Sequence, residues 1–137
     1  MLICGGPYET TAGLGDWTKP GAMEKAKQLL KESGYKGERV VVMHPTDQTV
    51  IGAMTMVTAN RLKEAGFNVD LQSHDWASLI SRRPIKDSPE QNRGGWNIFH
   101  TWSTSLDVIT PAVHAAVGGA GEKAWFGWPT NEAIEKL

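Results

Sequence analysis

The sequence predicts an α/β fold: a small mixed or parallel sheet with crossover helices. Three observations predict it. Stretches with apolar residues at helical spacing alternate with short β-branched or period-two runs. The order from Met23 to Trp102 reads helix, strand, helix, strand, helix, strand. Gly, Pro or Asp marks the junctions, at Gly34, Pro45, Gly66 and Asp75. Parallel strands joined by right-handed crossovers are the economical way to fold that order.

The elements follow in turn. The first twenty residues hold Gly5, Gly6, Pro7, Gly13, Gly15 and Pro20 and read as loop. Met23, Ala26, Leu29, Leu30 and Ser33 then recur on one helical face, opposite Glu24, Lys25, Lys27, Gln28 and Lys31. Gly34 is placed to end that helix in a left-handed conformation. Arg39-Val40-Val41-Val42-Met43 is apolar on both faces and predicts a buried strand. Pro45-Thr46-Asp47 ends it and supplies a cap for the next helix. That helix runs from Thr49 to Ala65, with Ile51, Met54, Thr55, Thr58, Leu62 and Ala65 on one face and Gly66 at its end.

Phe67 to Gln72 alternates apolar and polar, which predicts a strand with one buried face. Asp75 is placed to cap a short helix, Trp76 to Arg83, with Trp76, Leu79 and Ile80 inward. Pro84 to Gly95 reads as a mobile surface loop, and Trp96 to Trp102 as a third strand. A short helix is expected near Thr110–Val117, then a Gly118-Gly119-Ala120-Gly121 loop and the aromatic turn Trp125-Phe126-Gly127-Trp128-Pro129. The helical pattern starting at Asn131 stops at Leu137, and no leader-like run precedes Gly5. A piece cut from a longer protein is the expectation.

Composition narrows the function. With 14 Lys+Arg against 15 Asp+Glu in 137 residues, the net charge is −1, which argues against a nucleic-acid partner. No cofactor is expected. The first strand–helix junction, His44-Pro45-Thr46-Asp47, has no glycine to admit a pyrophosphate. Gly118 to Ala124 lacks the Gly-Lys-Ser/Thr ending of a phosphate loop. No Gly-x-Ser-x-Gly elbow is present, and Cys4 is a lone bystander thiol.

Two features point to a binding site. His44, His74 and His100 fall near the C-terminal ends of the strands, the edge where open α/β sheets bind ligands. The aromatic set is also unusual: six Trp against two Tyr and three Phe. Trp76 and Trp96 read as core, Trp125 and Trp128 as covering an edge or serving a cleft, and Trp17 stays unassigned. Trp102 closes the third strand ahead of Ser103-Thr104-Ser105. An aromatic plate beside a row of hydroxyls suits a small polar ligand.

The segment Glu24-Lys25-Ala26-Lys27-Gln28-Leu29-Leu30-Lys31-Glu32-Ser33-Gly34-Tyr35-Lys36-Gly37 resembles one found in dipeptide/oligopeptide/nickel-type solute-binding proteins of ABC importers. Ala59-Asn60-Arg61-Leu62-Lys63-Glu64-Ala65-Gly66-Phe67-Asn68-Val69-Asp70-Leu71 is similar to a second family segment. Asp75-Trp76 with Arg82-Arg83, Trp96 to Trp102, and Trp125 to Pro129 followed by Glu132 are similar to three more, in unbroken order.

The resemblance implies a two-lobed periplasmic-binding-protein-like fold, of which this chain is part of the C-terminal lobe. Residues 1–20 are then a loop or hinge-proximal segment and 21–137 the α/β lobe, with the N-terminal lobe missing. It implies a periplasmic, non-enzymatic protein that delivers a peptide, nickel chelate or related solute to an ABC permease in the membrane. A homodimer through the exposed lobe surface is a further partner. Trp102 matches the family's cleft tryptophan. Peptide-binding members carry an acidic residue about three positions later; here Ser105 stands there and the nearest acid is Asp107, so either Asp107 takes the role or the ligand has no amine there. The ligand-binding candidates are therefore Trp102, Ser103, Thr104, Ser105, Asp107 and His100. The rival readings are a self-contained α/β enzyme or metal-binding domain built on the strand-end histidines and Asp75, and a stand-alone interaction module.

Overall fold

The computed structural model describes residues 5–12, 15 and 19–136. Cys4, Trp17 and Leu137 lie outside them. The chain divides into two units, Gly13–Thr101 and Met1–Ala12 with Trp102–Leu137.

The first unit is the α/β part. It comprises α1 (Ala22–Glu32), β1 (Arg39–Pro45), α2 (Thr49–Ala65), β2 (Asn68–His74), α3 (Trp76–Arg82) and β3 (Ile98–Phe99). The strands form one parallel sheet in the order β2-β1-β3. The apolar run of β1 makes it the central strand: Val41, Val42 and Met43 have no exposed surface. A strand covered on both faces has no polar side to alternate with. α2 packs on β1 and β2, α1 against α2, and α3 on β1. Leu79 of α3 and Ile51 and Ala59 of α2 complete the core.

Local chemistry sets the boundaries. Gly66 takes φ 111°, and its N–H reaches the carbonyls of Leu62 and Lys63 while Phe67 N–H also reaches Leu62 O. These bonds satisfy the last carbonyls of α2. Asp75 caps α3 by accepting from Ser78 N at 2.9 Å. Asp47, expected to cap α2, instead accepts from Trp76 N at 2.8 Å, at the start of α3. The N-cap position of α2 is Gln48, with no side-chain cap. The turn after β1 lies beside the turn after β2, because the two strands pair in register as far as Pro45 and His74.

Three other expectations change. Met54 is 48% exposed, and the buried stripe of α2 is Ile51, Gly52, Thr55 and Ala59. The segment from Pro84 to Gly95 is pinned rather than loose. Arg39 Nη2 donates to Pro89 O at 2.7 Å, and Arg82 donates to Gly94 O at 3.1 Å and Gly95 O at 3.0 Å. β3 shrinks to Ile98–Phe99 because Asn97 pairs with β1 partly through its side chain: Oδ1 accepts from Val41 N at 2.8 Å. The expected cores at Trp76 and Trp96 are half-buried, with Trp96 edge-on to Phe99 at 5.0 Å and donating to Arg82 O.

In the second unit, the stretch expected to be helical near Thr110–Val117 holds a single 3-10 turn, Ala115–Val117, after another at Leu106–Val108. A third turn, Gly121–Lys123, adjoins a bridge between Ala120 and Thr130. The helix α4 (Glu132–Glu135) follows, capped by Asn131 accepting from Ala133 N and Ile134 N. Gly119 is packed so closely that a Cβ would lie 2.8 Å from Asn131 O. Among the described residues, no helix is long and apolar enough to cross a membrane.

Candidate functional site

The histidines at the strand ends do not converge. His44 stands opposite Ser73 in the register, and His74 opposite Pro45. Because side chains alternate across a strand, His44 and His74 project to opposite faces. His44 Nδ1 contacts Ser73 Oγ at 3.2 Å. His74 Nε2 takes a bond from Arg82 Nη1, which also donates to Gln72 Oε1 at 2.8 Å. Burial first, then the Arg82 charge, lowers the His74 pKa. Among the described residues, no three His, Cys, Asp or Glu side chains gather into a metal-holding group.

His100 is placed by α2. Its Nδ1 lies 3.2 Å from Thr55 Oγ1 and its Nε2 2.9 Å from Thr58 Oγ1. Thr55 is fully buried and donates to Ile51 O at 2.8 Å. Burial lowers the His100 pKa. Thr55 and Thr58 were visible in the sequence as two hydroxyls on an otherwise apolar helix face. Such groups need a partner when buried, but the sequence could not say that His100 provides it. His100 also borders an open groove of ≈ 640 Å³, lined with Val50, Met54, Val57 and Thr58 along the outer side of α2.

The remaining candidates belong to the second unit and form a short exposed segment. Trp102 is 65% exposed, and Ser103, Thr104, Ser105 and Asp107 are exposed too. Thr104 and Asp107 are directly bonded. Asp107 Oδ2 accepts from Thr104 N at 2.8 Å and from Thr104 Oγ1 at 2.9 Å, while Asp107 N donates back to Thr104 Oγ1 at 3.4 Å. This reciprocal cap fixes the turn at Leu106–Val108. The same two donors hold the Asp107 carboxyl below its usual range, so it is ionised at neutral pH. The segment therefore presents an aromatic face, hydroxyls and a negative charge within six residues. Trp125 and Trp128 instead pack about Phe126, tilted at 5.4 Å and edge-on at 6.4 Å between ring centres, around the positive-φ turn Gly127-Trp128.

The model of the bacterial extracellular solute-binding proteins, family 5 middle, matches residues 6–119. The chain belongs to that family. A probable peptide ABC transporter periplasmic-binding protein of Sinorhizobium fredii (strain NBRC 101917 / NGR234) is 42% identical over 122 residues. The match takes in 88% of this chain and 23% of that protein, so the chain spans about a quarter of its relative's length.

Proposed function

We propose that this chain is the solute-contacting part of the C-terminal lobe of a periplasmic peptide-binding protein, one that hands its solute to an ABC permease. The observation that carries the reading is the family match across residues 6–119, which includes Trp102 to Asp107. The related Sinorhizobium fredii protein, by its name, serves a peptide ABC transporter. In this reading Trp102 stacks on the solute, and Ser103, Thr104 and Ser105 offer hydroxyls. Asp107 takes the place of the acid that Ser105 does not supply, pairing with a peptide's free α-amino group. An ionised carboxylate suits an ammonium far better than a neutral hydroxyl does. No covalent step is involved. The partners are the remaining lobe, the permease and, through the face that lobe would cover, a second copy of the chain.

The test uses a chimera in which this chain replaces the matching segment of the Sinorhizobium fredii protein. Calorimetry with short peptides should show binding by the chimera and none by the isolated chain, which carries only one side of the cleft. Trp102→Ala should weaken binding about tenfold or more, in line with loss of a buried aromatic contact. Asp107→Asn should weaken binding of peptides with a free amine and leave N-acetylated peptides unaffected. Micromolar binding by the isolated chain would overturn the lobe reading.

A further inference from the structure

We propose that His100 is a positioning residue: its two ring nitrogens tie the end of β3 to Thr55 and Thr58 of α2. This sets where the chain leaves the sheet on its way to Trp102, and it does so with a neutral imidazole. The proposal rests on the reading of Trp102 to Asp107 as the solute-contacting segment.

The hydrogen bonds assign the ring's protons. Thr55 Oγ1 gives its proton to Ile51 O at 2.8 Å, so towards His100 it can only accept. Nδ1, 3.2 Å away, must then carry the hydrogen. In a neutral ring Nε2 is left as an acceptor, and Thr58 Oγ1, at 2.9 Å, is its donor. One tautomer satisfies all three groups. The bracket joins residues 45 and 42 positions apart in sequence, at the residue that follows β3 and precedes Thr101.

A protonated ring would place a charge in this half-buried position with no carboxylate among the described residues to meet it. The charged groups of α2 are Arg61, Lys63 and Glu64, and Arg61 pairs with Glu64 at 2.9 Å on the exposed side. On β1, Arg39 pairs with Asp70 at 3.0 Å, and His44 contacts Ser73. None of them contributes to the lowered basicity of His100, which comes from burial. Acidification therefore changes the bracket: on protonation Nε2 becomes a donor, and Thr58 must turn its hydroxyl from donor to acceptor.

The test is an NMR titration of the isotopically labelled 137-residue chain between about pH 8 and 5, the range in which imidazoles change charge. Long-range nitrogen–proton spectra should show His100 as the Nδ1–H tautomer, and the amide signals of Thr101 to Asp107 should follow its titration. His100→Gln keeps one donor and one acceptor but cannot titrate in this range. It should hold those amides at their high-pH positions throughout. Thr58→Val removes the hydroxyl bonded to Nε2 and should shift the midpoint of His100, giving a second measurement if the Gln variant does not fold. An Nε2–H tautomer, an unmoved midpoint in Thr58→Val, or amides that titrate alike in the wild type and His100→Gln would overturn the proposal. Failure of the binding reading shows elsewhere, as unchanged peptide affinity in the Trp102→Ala chimera, and leaves this titration intact.

Discussion

Asn97 extends the sheet past the end of its shortest strand by bonding twice to Val41. Its N–H donates to Val41 O at 3.0 Å, and its side-chain Oδ1 accepts from Val41 N at 2.8 Å. Val41 is wholly buried, so no water can replace either bond. A side chain thus does what a further β3 residue would do, and the strand needs only Ile98 and Phe99 to dock.

Asn97→Ala should therefore destabilise the chain by about 1–3 kcal/mol, the usual cost of stranding a buried N–H. Urea denaturation followed by circular dichroism measures it. Asn97→Asp retains the acceptor and should lose less; equal losses would show that the Oδ1 bond is not the source.

Gly52→Ala reverses the usual sign of a helix substitution. Alanine in a helix interior gains roughly 1 kcal/mol over glycine. Here its Cβ would lie 2.8 Å from the carbonyl oxygen of Pro45, a backbone atom that cannot swing aside. Overpacking costs typically about 1–3 kcal/mol, so the net effect should be destabilising. A raised denaturation midpoint would show that β1 and α2 can separate without penalty.

Arg82 ties the stretch before β3 to α3 through the carbonyls of Gly94 and Gly95. A lysine cannot reproduce this fork of donors. Arg82→Lys should speed tryptic cleavage after Lys86 and Arg93 about fivefold or more, since proteolysis tracks local opening. Cleavage at the wild-type rate would mean that the segment is held by other contacts.

Stability should fall as the pH drops below neutrality. His74 and His100 both have folded pKa values lowered from 6.5, chiefly by burial. Below about pH 6.5 the unfolded chain takes up protons that the folded chain refuses, so the unfolded state gains. The loss grows until the pH reaches the folded values. Asp75 and Asp107 are lowered from 3.8 by their Ser78 and Thr104 partners, and their contribution disappears in a second, more acidic window as they protonate. Denaturation midpoints measured across pH should decline in those two windows. A flat profile between about pH 7 and 5 would exclude the first.

By itself the sequence determined the elements whose signals are local. Helical spacing and the Gly34 and Gly66 stops placed α1 and α2, and α2 has the expected bounds, Thr49 to Ala65. The apolar run at Val40 to Met43 named a buried strand, and Asp75 named the start of α3. Each depends on residues three or four apart, or on alternation along one strand, and a single strand of text carries that information. The motifs that resemble the solute-binding family are equally local.

Only the tertiary structure decided which distant groups meet. Asp47 serves α3 rather than α2, Asn97 replaces strand residues, and the strand-end histidines take three separate sets of partners. These outcomes follow from strand register and from the face each residue occupies. A shift of one residue in pairing would turn every side chain to the other side of the sheet. No local pattern encodes that choice. It is settled when the helices and strands bury their apolar faces against each other, and the polar groups then bond to whatever the register has placed beside them.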